Sequence, residues 1–121
     1  RLVGSEMCIR DSVGIDLNSN FVIAGSQDEY GLPEFDNLWD HSKRPENPEV
    51  YYDKAQKDMV RISREFCESH PEIGALMLEC TGMQPFARAI QREIDLPVFS
   101  WGTLLDYAYS VVVHRDYYGH V

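Results

Sequence analysis

The sequence predicts an α/β fold, a parallel sheet flanked by helices. Three observations predict it. Short apolar runs recur at Phe21–Gly25 (FVIAG), Ala75–Leu78 (ALML) and Leu96–Phe99 (LPVF). Segments with helical apolar spacing stand between and after them. The later links are only a few residues long, and parallel neighbours joined through helices are the arrangement that such alternation produces.

FVIAG is bounded by Asn20 and Ser26 and reads as a buried strand. Ser26–Glu49 follows with seven acidic residues against two basic ones, Lys43 and Arg44, punctuated by Pro33, Pro45 and Pro48. Leu32, Phe35 and Trp39 recur there at helical spacing, with Pro33 suited to a first helical turn. A connection of this length is a functional lid or a solvated acidic loop. From Tyr51 to His70 the pattern is helical. Ala55, Met59, Ile62 and Phe66 form one apolar stripe, and Pro71 ends the helix. Cys67 borders the stripe and reads as packing. ALML forms a second buried strand. A helix beginning at Pro85 carries Phe86, Ala89, Ile90 and Ile94, LPVF is a third strand, and Thr103–Val113 is a last, largely apolar helix.

The 121 residues suffice for one domain, and 44% apolar residues allow a packed core. A net charge of −9 argues against nucleic-acid backbones and anionic membrane surfaces. No stretch approaches the roughly 20 apolar residues that span a bilayer. Cys8, Cys67 and Cys80 lack paired or CxxC spacing, and His41, His70, His114 and His120 are scattered. Neither a disulfide framework nor a metal site is suggested, and a reducing, cytoplasmic setting fits best.

Leu2–Ser12 (LVGSEMCIRDS) resembles the in-frame translation of a transposon-end adapter used in preparing sequencing libraries. A natural disordered leader is the alternative; on either reading residues 1–12 are set aside from the fold and Cys8 from the site, and residues 13–121 are read as the lobe. Arg1 and Arg10 balance Glu6 and Asp11, so residues 13–121 carry the whole net charge. Val13–Asn20 reads as the tail of a helix and its turn, since Asp16, Asn18 and Asn20 favour turns. The expectation is a lobe truncated at its start, with roughly another hundred residues encoded upstream.

Cys80 is the candidate for chemistry. Ligands of open parallel sheets bind beyond the carboxyl ends of the strands, where Cys80 falls. Pro85 disfavours helical backbone at Gln84, which leaves Thr81–Gln84 as an irregular loop with outward N–H groups. Such groups at a helix head attract a carboxylate and favour a thiolate. The Thr81 hydroxyl adds a donor, and Gly82 gives the backbone room to approach a ligand. Most strand-end cysteines are inert packing, and Glu79 beside it would raise a thiol pKa unless it faces the other way. The residues alone leave both readings open.

The run IGALMLECTGMQPFARAIQREIDLPVFSWGTLLDYAYS (Ile73–Ser110) resembles the carboxy-terminal half of aspartate/glutamate racemase-family proteins. These show a strand, Glu-Cys-Thr-Asn-Met-Pro-Pro, a helix, Leu-Pro-Val-Phe-Asp and a Thr-Leu helix. FVIAG and the LPEF of the acidic stretch fit the same arrangement, so the resemblance covers most of residues 13–113. It implies one lobe of a two-lobed fold in which two cysteines face each other across a cleft. One takes the α-proton of the substrate and the other delivers a proton to the opposite face, without a cofactor. Cys80 matches the second cysteine, and Thr81 the residue that contacts the substrate carboxylate. Gly82 replaces an asparagine, Gln84 a proline, and Ser100 an aspartate. Cys-Thr-Gly-Met also resembles the Cys-Ala-Gly-Met of hydantoin racemases. Cys67, followed by Glu68 on a helix, does not match the first cysteine, which belongs to a Cys-Gly motif expected upstream.

The resemblance implies a cofactor-independent racemase or epimerase acting on an amino acid or hydantoin-like carboxylate, with Cys80 catalytic and Thr81 and Gly82 binding substrate. A cysteine-dependent decarboxylase or cis-trans isomerase of the same fold is the alternative within enzymes. A non-catalytic carboxylate-binding domain is the alternative outside them. No nucleic-acid or membrane partner is expected, and association into homo-oligomers is left open.

Overall fold

The computed structural model describes residues 14, 16, 19–25, 37, 40–44, 46–47 and 49–119. Residues 1–12 and the helical spacing of Leu32, Phe35 and Trp39 lie outside them. The chain divides into two compact units, Arg1–Phe66 and Cys67–Val121.

In the first unit, the turn read at Asp16–Asn20 is present: the Ser19 N–H donates to the Asp16 carbonyl at 2.9 Å. FVIAG is not a strand. Its backbone is irregular, and Phe21 and Val22 are exposed. A strand exists only where a neighbour takes its N–H and C=O groups, and an apolar run of five residues does not supply that neighbour. At residues 40–43 the Asp40 carboxylate accepts from the Ser42 N–H at 2.9 Å and from the Ser42 hydroxyl at 2.6 Å. These bonds, led by the hydroxyl, hold the Asp40 carboxyl below its usual range. A depressed carboxyl favours the folded turn above the ordinary carboxylate pKa. That contribution is lost as pH falls through the lowered value.

Helix α1, Glu49–Ser69, follows the expected stripe. Ala55, Met59, Ile62 and Phe66 are all buried, and Ser63 joins their face. Arg61 and Glu65, one turn apart, are paired at 3.1 Å on the polar side, the spacing that brings helix side chains together. The helix stops before Pro71, as the proline requires.

The second unit contains a two-stranded parallel sheet, so the chain is α/β at this coarse level. Strand β1 is Leu76–Met77 and strand β2 is Val98–Phe99, with Leu76 opposite Val98 and Met77 opposite Phe99. The pairing runs past both ends: Leu76 N donates to Pro97 O at 2.9 Å and Leu78 N to Phe99 O at 2.8 Å. The sequence reads ALML as a buried strand and LPVF simply as a strand. Leu76, Leu78 and Val98 are buried while Met77 and Phe99 are exposed. A continuous apolar run does not reveal how many faces are covered, and here one face is.

Thr81–Phe86 is a 3-10 helix that passes directly into helix α2, Ala87–Ile94. This corrects two expectations, an irregular loop over Thr81–Gln84 and a helix starting at Pro85. The i→i+3 pattern, opened by Met83 N donating to Cys80 O at 3.0 Å, accommodates the restricted backbone before a proline better than an α-turn does. Phe86 and Ile90 are the largest fully buried side chains. Helix α2 packs against β2 and the 3-10 helix, which makes Leu76, Leu78, Phe86, Ile90 and Val98 the core of this unit. Asp95 ends α2 in a left-handed conformation (φ 53°), its N–H donating to Gln91 O at 3.0 Å.

Helix α3 is Trp101–Val112, two residues earlier than expected at its start. The Ser100 side chain caps it, and Thr103 answers through its hydroxyl, which accepts from Ser100 N at 2.9 Å. No residue of α3 is buried; Leu105 and Tyr107 stand about two-thirds exposed. The expectation of a helix covering the sheet is corrected here. Asp106 is the only charged residue in α3, so no single apolar stripe directs one face inward.

Candidate functional site

The candidate site forms at the carboxyl ends of the two strands, all within residues 67–121. Because β1 and β2 are parallel, their ends emerge side by side, Cys80 three residues after β1 and Ser100 directly after β2. Each is followed by a helical turn. Cys80 occupies the cap position of the 3-10 helix with extended backbone (φ −73°, ψ 129°), and its side chain makes no capping bond. It is half-buried, whereas Glu79 is exposed, as strand alternation predicts for neighbours.

Thr81 is exposed and opens the 3-10 helix; Gly82 follows, half-buried. The N–H groups of these two residues precede the first bond of the 3-10 turn, which Met83 makes, so they head the helix as orphan donors do. Gly82 is not among the glycines with positive φ. Its place is therefore not dictated by backbone conformation, and what remains is its small size beside Cys80 and Thr81. Ser100, where the resemblance read from the sequence expects an aspartate, caps α3. Serine and aspartate are both strong N-cap residues, so this departure leaves the helix start intact.

Two residues that sequence reasoning did not assign, Trp101 and Gly102, join the site, and Gln84, read there only as part of the loop, takes part through its side chain. The Trp101 indole N–H donates to the Glu79 carbonyl at 2.8 Å. The Gly102 N–H donates to the Gln84 side-chain oxygen at 2.9 Å. One signal for Gly102 was available: glycine near the start of an otherwise apolar helix costs about 1 kcal/mol against alanine and asks for a packing reason. Nothing in the sequence pairs Trp101 with Glu79, 22 residues away.

Among the described residues Cys67 and Cys80 are free thiols, and no three His, Cys, Asp or Glu side chains lie together as a metal would require. Burial pushes the Cys67 thiol up from its ordinary value. Cys80 is therefore expected to alkylate before Cys67 at neutral pH, since the thiolate is the attacking form. The gap should narrow as pH rises beyond the ordinary thiol range. Peptide mass spectrometry after iodoacetamide labelling reads the order, and Cys67 modified first would contradict it.

An open depression of about 410 Å³ lies elsewhere, lined by Ser110, Val111, His114, Arg115 and Tyr117 near the end of α3. It does not include Cys80. Among the described residues no helix is long and apolar enough to cross a membrane.

No family model matches the chain, and no solved structure matches it. A stretch of 61 residues is 28% identical to "Dimethylsulfoniopropionate lyase 5" of Emiliania huxleyi (strain CCMP1516), a match that spans 50% of this chain and 12% of that protein.

Proposed function

We propose that this chain is the carboxy-terminal lobe of a cofactor-independent racemase or epimerase that inverts a carbon beside a carboxylate, with Cys80 as one of two acid/base groups. The observation that carries the reading is the place of Cys80, after the carboxyl end of a parallel strand and at the head of the Thr81–Phe86 turn. Ligands of open parallel sheets bind at that end. The Glu-Cys-Thr motif at Glu79–Thr81, shared with the aspartate/glutamate racemase family, supplies the chemistry.

In the proposed reaction the Cys80 thiolate takes the α-proton, or its thiol returns one, from one face of the substrate. The electron pair left on carbon is delocalised into the carboxylate, and a thiol on a second lobe protonates the other face. Thr81 donates its hydroxyl to the carboxylate, and Gly82 lets the backbone come close. The substrate is an amino acid or a hydantoin-like carboxylate. The setting is the reducing cytoplasm, where a free thiol persists.

The similarity to a lyase favours a second reading. Removal of the same α-proton, followed by departure of a group on the next carbon, would give an unsaturated acid instead of inversion. Both reactions begin with a base beside a carboxylate, and they differ in whether a leaving group is present.

The test is carbon-bound proton exchange in deuterium oxide with aspartate, glutamate, a hydantoin and dimethylsulfoniopropionate. It compares the chain with the protein expressed from its complete gene. Inversion accompanied by exchange supports the racemase, and release of an unsaturated acid supports the lyase. A carboxylate bound without exchange or cleavage would reduce the lobe to a binding domain and overturn the catalytic reading. The 121-residue chain alone is expected to racemise nothing, because one lobe offers a group to only one face. Cys80-dependent inversion by it would refute that expectation.

A further inference from the structure

The segment that carries Cys80 is tied at both ends to one helix head. Glu79 and Gln84 bracket Cys80, Thr81, Gly82 and Met83, and the two tethers come from consecutive residues, Trp101 and Gly102. At Glu79 the anchor is a side-chain donor on a backbone carbonyl (2.8 Å). At Gln84 it is a backbone donor on a side-chain oxygen (2.9 Å). The Gly102 N–H lies in the first turn of α3, where backbone donors lack partners within the helix. Ser100 caps Thr103 from the position just before α3, while Gln84 caps Gly102 from the neighbouring segment.

We propose that Gln84 is a positioning residue that holds the Cys80 segment on the head of α3, and that position 102 is glycine because the Gln84 amide occupies the space a side chain would need. A Cβ added at Gly102 would lie 1.9 Å from Gln84 Nε2 and 2.5 Å from its Cδ. No side-chain contact of that length is tolerable, and the obstructing atoms are the far end of a flexible chain. An alanine therefore expels the Gln84 amide and leaves the backbone in place. The inference rests on the proposed role of Cys80 for its catalytic meaning, but the tether itself is read independently of activity.

Gly102→Ala separates positioning from stability. Alanine favours a helix over glycine, so a residue of purely structural importance would be improved, or left unchanged, by this substitution. The tether predicts the opposite for Cys80. With the 121-residue chain, iodoacetamide labelling of Cys80 is compared across pH in wild type, Gln84→Ala, Gly102→Ala and the double variant. Cys67 in the same molecule serves as the internal reference. Loss of one hydrogen bond predicts labelling of half-buried Cys80 about fivefold faster in each single variant. The double variant should be no faster than either single one, since both remove the same contact. Cys67 labelling and the far-UV circular dichroism should not change.

Gln84→Glu keeps an oxygen acceptor for the Gly102 N–H and is expected to restore the wild-type rate. Gln84→Met keeps the length without the acceptor and carries the test if Gln84→Ala does not fold. Unchanged Cys80 labelling in the folded variants, effects that multiply in the double variant, or Gln84→Glu behaving as Gln84→Met would each overturn the proposal. Failure of the catalytic reading would show elsewhere, as full exchange activity in a Cys80→Ser protein.

Discussion

Cys80→Ser in the protein expressed from the complete gene is expected to lower α-carbon exchange and turnover by about a hundredfold to ten-thousandfold, the range for losing a positioned acid/base group. Serine nearly preserves the shape of the side chain but replaces a thiol by a hydroxyl that ionises far less readily. The proposed proton transfer therefore fails while the segment around it persists. Cys67→Ser is the matched control. That thiol sits on α1 and burial pushes it up, away from the range useful to a base at neutral pH. It should leave turnover near wild type. Proton exchange on the face opposite to Cys80 is compatible with the loss of inversion, because in the proposed mechanism each thiol serves one face. Deuterium incorporation followed by mass spectrometry, with chiral separation of the product, measures both quantities. Inversion at the wild-type rate by Cys80→Ser would remove the basis of the proposed mechanism.

The second large effect concerns stability. Phe86→Ala is expected to destabilise the unit Cys67–Val121 by about 3–5 kcal/mol, the cost of emptying a buried aromatic site. Phe86 is 2% exposed and lies where the 3-10 helix becomes α2, in the core shared with Leu76, Leu78, Ile90 and Val98. Small units of this kind hold a total stability near 5–15 kcal/mol at most. The substitution should therefore abolish or greatly weaken cooperative unfolding. Phe99→Ala is the comparison, because Phe99 is 52% exposed on the opposite face of β2 and should cost far less. Urea titration followed by circular dichroism gives both values. Equal midpoints for the two variants would show that Phe86 does not anchor this core.

Much of this was legible from residue spacing. The stripe Ala55, Met59, Ile62 and Phe66 has a period that only a helix explains, and all four residues are buried. The parallel pair β1–β2 followed from two short apolar runs joined through a helix. Other features were set by partners that spacing does not reveal. FVIAG has a strand's composition, but its pairing depends on a neighbour. Pro85 suits a helix start because it disfavours an α-turn before it, and the chain forms a 3-10 turn there instead. α3 is apolar on nearly every side, and that pattern gives its length without saying which side is covered. At the site, the position of Cys80 was readable because strand ends are. The Trp101 and Gln84 tethers were not, since each joins residues about 20 apart through a single bond.

The register of the sheet bears on which insertions and deletions the chain tolerates. Leu76 and Leu78 are buried and Glu79 exposed, and this two-residue rhythm carries on to half-buried Cys80. One residue added or lost between Leu78 and Cys80 would exchange the places of acid and thiol, turning Cys80 outward and Glu79 inward. The stretch before β1 bears no such constraint, for Gly74 has open space around it and Ala75 is exposed. Length variation is therefore more readily accommodated at Gly74 and Ala75 than behind the strand, where the spacing from Leu76 to Cys80 sets which side chain turns inward.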